Sequence, residues 1–210
     1  MVGVAADRVE DVVNSRNMKK NIKKFIIIGD PIGYSLSPVM YGAAFKELGL
    51  EGQYIFKAER VKAGDVGKMV ERMRTEGIGG MTCTAPHKEE VMQYLDEIDS
   101  VAATIGAVNT VVNDNGVLKG HNTDWLGTVV PLEKVTELAG KKVALLGAGG
   151  AARAMAYGLV EKGAEVKIFN RTVAKAQELA DEFGCQVGGL EEIGEVKDYD
   201  IIINSTTVGM

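Results

Sequence analysis

Apolar positions along the chain alternate between two spacings. Short β-branched or continuous apolar runs at residues 25–29, 54–58 and 78–84 read as buried strands, and helical spacing at 37–48, 62–76 and 86–96 fills the intervals between them. Ser37-Pro38 has the form of an N-cap followed by proline at the first helical position, and Gly49 closes that helix. Pro86 is placed to open the third helix in the same way. Residues 107–113 and 117–119 flank Asp114-Asn115-Gly116, a turn signal that predicts an antiparallel hairpin beside otherwise parallel strands. Residues 1–24 are polar and charged, ending in the basic run Lys19, Lys20, Lys23, Lys24, and read as a leader or linker.

A second alternating series follows. Residues 124–140 form a connecting helix, bent near Pro131, and strands at 142–147, 165–169, near Gln186 and at 199–203 alternate with helices at 150–162 and 172–183. The pattern predicts an α/β chain: an N-terminal substrate-binding unit over 25–123, the connector, and a Rossmann-like nucleotide-binding unit over 141–210, which holds only half of a doubly wound sheet.

Bulk properties narrow the partners. A net charge of −5 leaves no broad basic surface for nucleic acid or anionic membrane, so a small molecule held by a few placed groups is expected. Cys83 and Cys185, the only two cysteines, form no CxxC pair, which argues against a disulfide framework and a zinc site. No apolar stretch is long enough for a membrane helix and the N-terminus lacks a secretory apolar run, so a cytoplasmic location is expected.

The sharpest chemical signal is Gly147-Ala148-Gly149-Gly150-Ala151-Ala152, which fits G-x-G-x-x-A between a strand and a helix. In that setting Gly147 makes the tight turn, Gly149 lets a pyrophosphate approach backbone N–H groups, and Ala152 lets helix pack on strand. A second strand ends 23 residues after Gly147, at Asn170-Arg171-Thr172. An NAD site usually carries a carboxylate there; an arginine suits a 2′-phosphate, with Thr172 and Lys175 as further donors, which predicts NADP. The plainer reading of Arg171 is a solvated surface arginine.

In the first unit, Tyr34-Ser35-Leu36-Ser37-Pro38 puts two hydroxyls at a helix N-terminus, where an anion such as a carboxylate is favoured. A simple N-cap explains Ser37 equally well but leaves Ser35 without a role. Met81-Thr82-Cys83-Thr84-Ala85-Pro86-His87-Lys88 runs from a strand end into the predicted helix, and a lysine in a first helical turn opposes the dipole. Lys88 is therefore either functional or paired with Glu89 or Glu90. Gly120-His121-Asn122-Thr123-Asp124 lies at the boundary between units, with Asn109 on the neighbouring strand. Alcohol–ketone interconversion needs a proton donor for the carbonyl oxygen, and Lys88 held by Asp124 is a candidate pair. His87 and His121, without a third ligand, make no metal site; His121 reads as satisfying a backbone carbonyl, with contact to substrate as the alternative, and Met40, Tyr41 and Trp125 read as packing residues.

Together these segments resemble the shikimate dehydrogenase family. The resemblance rests on Gly29-Asp30-Pro31-Ile32 with Ser35-Leu36-Ser37-Pro38, Thr84-Ala85-Pro86-His87-Lys88, Ile105-Gly106-Ala107-Val108-Asn109-Thr110, Asn122-Thr123-Asp124, the glycine loop, Asn170-Arg171-Thr172, and Asn204-Ser205-Thr206-Thr207-Val208-Gly209-Met210. It implies NADPH-dependent reduction of 3-dehydroshikimate to shikimate, with Lys88 and Asp124 as the catalytic pair. Substrate would contact Ser35, Ser37, Thr84, Asn109 and Asp124, and cofactor would contact Gly147, Ala148, Gly149, Gly150, Ala151, Asn170, Arg171, Thr172, Lys175 and Thr206. Thr82 stands at a substrate-contacting position where the family commonly has asparagine, keeping one donor and losing the second arm of the amide. Tyr41-Gly42 and Cys83 are variants like those of dehydrogenases fused to a dehydratase, so a homodimer or such a fusion is the expected partnership. The resemblance also implies a chain cut short at its C-terminus. Two rival readings are a quinate/shikimate dehydrogenase and a catalytically silent relative that binds a shikimate-like ligand.

Overall fold

The computed structural model describes residues 22–208. Of the leader or linker expected over 1–24, residues 1–21 lie outside the described residues, while Lys23 and Lys24 are the first rungs of a strand. The elements form two sheets in succession. In the first, β1 (Lys23–Gly29), β2 (Tyr54–Arg60), β3 (Gly80–Cys83), β4 (Glu97–Ile98), β5 (Thr110–Asp114) and β6 (Val117–His121) are ordered β2-β1-β3-β5-β6-β4. β1 runs parallel to β2 and β3, and β5 pairs antiparallel with both β3 and β6. The expected hairpin is present: Asn115 (φ 53) and Gly116 (φ 97) form a two-residue loop of the backbone hand that favours strand reversal.

Helix α1 (Ser37–Glu47) carries no buried residue, whereas α2 (Val66–Thr75) buries Val66, Met69, Val70 and Met73 against the sheet. Those side chains join Ile26, Ile28, Ile78, Met81 and Val111 in the core of the first unit. The apolar pattern predicts a start for α2 at residue 62, but its N-cap is Asp65. Met40, expected to pack, is 67% exposed on α1, while Tyr41 does pack, stacked on Phe56 with ring centroids 4.1 Å apart.

Two short elements were not anticipated: β4, and α3 (Ser100–Ile105), whose N-cap Asp99 accepts the amide of Ala102 at 2.7 Å. The helix expected over 86–96 is replaced by a turn and a 3-10 helix over Glu90–Tyr94. The buried ring of His87 explains the difference. Its Nε2 bonds the carbonyl of Val61 at 2.7 Å, tying the turn to the loop after β2 where an α-helix would carry the ring away.

Helix α4 (Asp124–Glu133) leads into the second sheet and ends soon after Pro131, so the connector is helical over less of its length than its sequence suggests. β7 (Lys142–Leu146), β8 (Glu165–Phe169), β9 (Gln186–Gly188) and β10 (Ile201–Asn204) are all parallel, in the order β10-β7-β8-β9. Helices α5 (Gly150–Glu161) and α6 (Val173–Phe183) bury alanines and leucines on this sheet. Chain direction across the sheet switches between β7 and β10, the position at which open α/β sheets receive their ligands.

Candidate active site

Asp124 is the first residue of α4, and its carboxylate is held from two sides. Lys88 Nζ donates to Oδ2 at 2.6 Å, and Asn109 Nδ2 donates to Oδ1 at 2.7 Å. Asn109 is buried and fully engaged: its amide nitrogen also donates to Thr123 Oγ1 at 3.0 Å, while Oδ1 accepts the Thr110 hydroxyl at 2.9 Å and the Thr123 amide at 3.0 Å. Asn122, 4% exposed, donates to the carbonyl of Ala107 and accepts the amide of Asp124, both at 2.9 Å. The segment 107–109 and the start of α4 are thus laced together by side-chain amides, and the amide of Val108 reaches the carbonyl of Lys88 at 2.8 Å.

The turn geometry changes how Lys88 is understood. It stands in a turn ahead of the 3-10 helix and not in a first helical turn, so opposition to a helix dipole does not explain it. Its partner is neither Glu89 nor Glu90 but Asp124, thirty-six residues away in sequence and half-buried with it.

Beside this pair lies the glycine loop. Gly147 sits at φ 109, a conformation side chains rarely adopt, and a Cβ there would lie 2.5 Å from Ser205 Oγ. The loop feeds α5, whose N-cap, Gly149, makes no side-chain cap hydrogen bond and has open space where a Cβ would stand. The free N–H groups of the first turn therefore face a cradle that fits the diphosphate of a dinucleotide. A Cβ on Gly150 would lie 3.4 Å from the Cβ of Lys88, which sets the distance between loop and ion pair.

Two adjoining cavities make up the cleft. One, of about 290 Å³, is lined by Tyr34, Thr84, Lys88, Gly150, Ala151 and Thr206. The other, of about 480 Å³, is lined by Leu146, Phe169, Asn170, Arg171, Asn204 and Thr206. Asn170 Nδ2 donates to the carbonyl of Thr172 at 2.9 Å, shaping the turn from which Arg171 projects, exposed. Thr172 and Lys175 stand at the exposed start of α6, outside that lining.

Other expected residues stand outside this hydrogen-bond network. Ser35 and Ser37 sit just before and at the start of α1, but the cap is Leu36; Ser35, which the sequence left without a role, accepts the amide of Ser37 at 3.3 Å. Among the described residues neither hydroxyl bonds to the Lys88–Asp124–Asn109 network. Thr82 lines an apolar groove with Tyr41, Phe45 and Phe56, opposite Thr110 in the strand register. Among the described residues His121 contacts no backbone carbonyl through its ring; Nδ1 lies 2.6 Å from Asp99 Oδ2, and His87 is the histidine that bonds a carbonyl. Among the described residues no cluster of His, Cys, Asp and Glu is arranged for a metal. Trp125 packs edge-on against Tyr157, with centroids 5.7 Å apart.

The roles of Asn122 and Thr123 as braces for Asn109 and Asp124 are not visible in the sequence. An amide or hydroxyl beside a predicted helix start is a general cap signal, and only the fold shows that Asn122 turns back to Ala107.

Residues 27–111 match the shikimate dehydrogenase substrate-binding domain, and residues 130–209 match the shikimate / quinate 5-dehydrogenase family. The NADP(+) shikimate dehydrogenase of Methanothermobacter thermautotrophicus is 47% identical over 195 residues, spanning 88% of this chain and 67% of that relative. The crystal structure of shikimate dehydrogenase from Aquifex aeolicus superposes with a TM-score of 0.84 at 36% identity, covering 90% of this chain and 70% of that one. The Thermus thermophilus shikimate 5-dehydrogenase in complex with NADP(H) and shikimate does so with a TM-score of 0.80, also at 36% identity, over 90% of this chain and 70% of its own. With two family matches in chain order, a relative sharing nearly half of its residues, and a strand-turn-helix glycine loop set against a lysine–aspartate pair, this chain belongs to the shikimate dehydrogenase family.

Proposed function

We propose that the cleft carries the NADP-dependent interconversion of 3-dehydroshikimate and shikimate. The observation that carries this reading is the Lys88–Asp124 pair at 2.6 Å, adjoining the glycine loop at Gly150. Bound NADPH would supply the hydride that the ketone carbon accepts. Lys88, as an ammonium, donates the proton that the carbonyl oxygen takes up, and Asp124 holds the ammonium in line and carries the compensating charge. In the reverse direction the amine of Lys88 receives the hydroxyl proton.

The cofactor is assigned to Gly147, Ala148, Gly149, Gly150 and Ala151 for the diphosphate, with Asn170 and Arg171 at the 2′-phosphate, Thr172 and Lys175 as outer donors, and Thr206 between the two cavities. Arg171 is matched to a phosphate by its planar, multi-donor head, and the strand end carries no carboxylate to repel one. For the substrate, Ser35 and Ser37 are assigned to the carboxylate, and Thr82, Thr84, Asn109 and Asp124 to ring oxygens. Asn109 spends both its amide hydrogens on Thr123 and Asp124, so its contribution is to orient Asp124 as much as to touch substrate.

The test is absorbance of reduced nicotinamide on mixing purified protein with shikimate and either NADP or NAD, with quinate as the comparison substrate. Turnover of shikimate with NADP is the expected result. Binding of shikimate without turnover, in a folded protein with both ligands bound, would instead establish the catalytically silent relative.

A further inference from the structure

Arg153 is a cation in the first turn of α5, where the positive end of the helix dipole disfavours it. Its backbone amide bonds the carbonyl of Gly149 at 3.0 Å, so it moves with the glycine loop. Its side chain, only 19% exposed, turns away from its own helix toward the first unit. Nε donates to the carbonyl of Ile105 at 2.6 Å, and the guanidinium also pairs with Glu182 on α6.

Ile105 is the last residue of α3, the negative end of that helix, so the charge is well placed for α3 and poorly placed for α5. The α3 cap leaves this carbonyl for Arg153. Gly106, at φ 70, sends its amide to Ala102 and Ala103, and Ala107 sends its amide to Ala102, so the earlier carbonyls are already served. A Cβ on Gly106 would lie 2.6 Å from Arg153 Nη2, so the glycine leaves room for the guanidinium as well as supplying the backbone turn.

The three residues that follow Gly106 are part of the site already described. Ala107 is bonded by Asn122, Val108 by the carbonyl of Lys88, and Asn109 holds Asp124. Ile105, Ala107 and Ala154 pack into one cluster with Val101, Trp125 and Tyr157, so Arg153 closes the polar edge of an apolar seam between the units.

We infer that Arg153 is a positioning residue that clamps the cofactor loop to the 107–109 segment that leads into β5 and bears Asn109, fixing the separation between the hydride donor and the Lys88–Asp124 pair. It touches neither reacting group and acts through Ile105–Asn109 on one side and Gly149–Gly150 on the other. The inference rests on the proposed dehydrogenase reading of the cleft. Loss of the clamp lets the units drift without removing any ligand contact, and a misplacement on the order of 1 Å costs about a hundredfold in rate.

The experiment compares wild type with Arg153→Met and Arg153→Lys by steady-state kinetics and by hydrogen exchange at the amides of Val108 and Asn109. In Arg153→Met, kcat is expected to fall by about ten- to a hundredfold while both KM values stay within about threefold. The two amides are expected to exchange at least about tenfold faster without any ligand. Arg153→Lys keeps one charged donor for the Ile105 carbonyl and should recover part of both effects. A wild-type kcat in Arg153→Met, or a rise in KM with kcat unchanged, overturns the inference. So does unchanged protection of Val108 and Asn109, even if wild type shows no shikimate turnover. Wild-type silence with both ligands present, alongside loosened amides in Arg153→Met, counts against the dehydrogenase reading and leaves the clamp standing.

Discussion

Replacing Lys88 by methionine keeps the length of the stem and removes the ammonium. The ammonium lies 2.6 Å from Asp124 Oδ2 with its side chain 14% exposed, so solvent has little access to replace it as proton donor. Loss of a positioned general acid lowers kcat by about 10²- to 10⁴-fold, or roughly 3–5 kcal/mol on the barrier. The ground-state cost is smaller. Asp124 keeps its bond from Asn109 at 2.7 Å and its side chain is 28% exposed, so it is left neither stranded nor dry. Unfolding free energy should therefore drop by about 1–2 kcal/mol, well below the kinetic effect. The assay is initial velocity at saturating NADP across a shikimate titration, with urea denaturation in parallel. A kcat within about threefold of wild type refutes the proton-transfer role, and a stability loss equal to the kinetic loss would show that the lysine is structural.

Three further outcomes are expected. Arg171→Ala should weaken NADP binding by roughly 10- to 100-fold, the range of a charge-assisted contact, and change NAD binding by no more than about twofold; equal losses measured by titration would remove the phosphate contact. Acid should destabilise the first unit. Glu76 is held down to about 2 by its hydrogen bond from Arg72, and Asp96 is lowered by the Leu118 amide and then by Arg74. Because both are depressed in the folded state, their contribution is present at neutral pH and is lost as pH falls from the ordinary carboxylate range of roughly 4 towards 2. Urea midpoints across that window should fall less steeply in Glu76→Gln than in wild type, and parallel curves would contradict the linkage. Finally, burial pushes the Cys83 thiol up to about 12, so it should resist a thiol reagent at pH 8 until the protein unfolds, and prompt labelling of Cys83 located by mass spectrometry would show that the strand opens.

What was legible in the sequence was whatever a local pattern dictates. The glycine loop, its strand and its helix are fixed by residues within one turn of each other, and the Asn115-Gly116 reversal carries its own backbone preference. The Lys88–Asp124 pairing was legible as chemistry, because reduction of a ketone needs a proton donor, but the helix invoked to support it does not form. His87 decides that turn through a carbonyl twenty-six residues away, a contact no local window contains. β4 and α3 were invisible for another reason: two and six residues are too few to establish a period. A cap explains Ser37 in the sequence and leaves Ser35 without a role, yet the fold puts Leu36 at the cap and makes Ser35 the partner of the Ser37 amide.

The polar core of the site has a consequence for how such a cleft works. Asn109 uses both amide hydrogens and accepts two donors, and Asn122 ties the residue before the 108–109 segment to the start of α4. A buried amide so fully engaged cannot rotate without stranding at least one partner, which costs about 1–3 kcal/mol for each group left unpaired. Asp124 is therefore held in one orientation before any ligand arrives, and the ammonium of Lys88 is aimed by a carboxylate that cannot swing away. Orientation within the first unit is thus settled by its own hydrogen bonds. The remaining variable is the distance across the seam to the glycine loop, and Arg153 is the charged side chain that bridges the two units there.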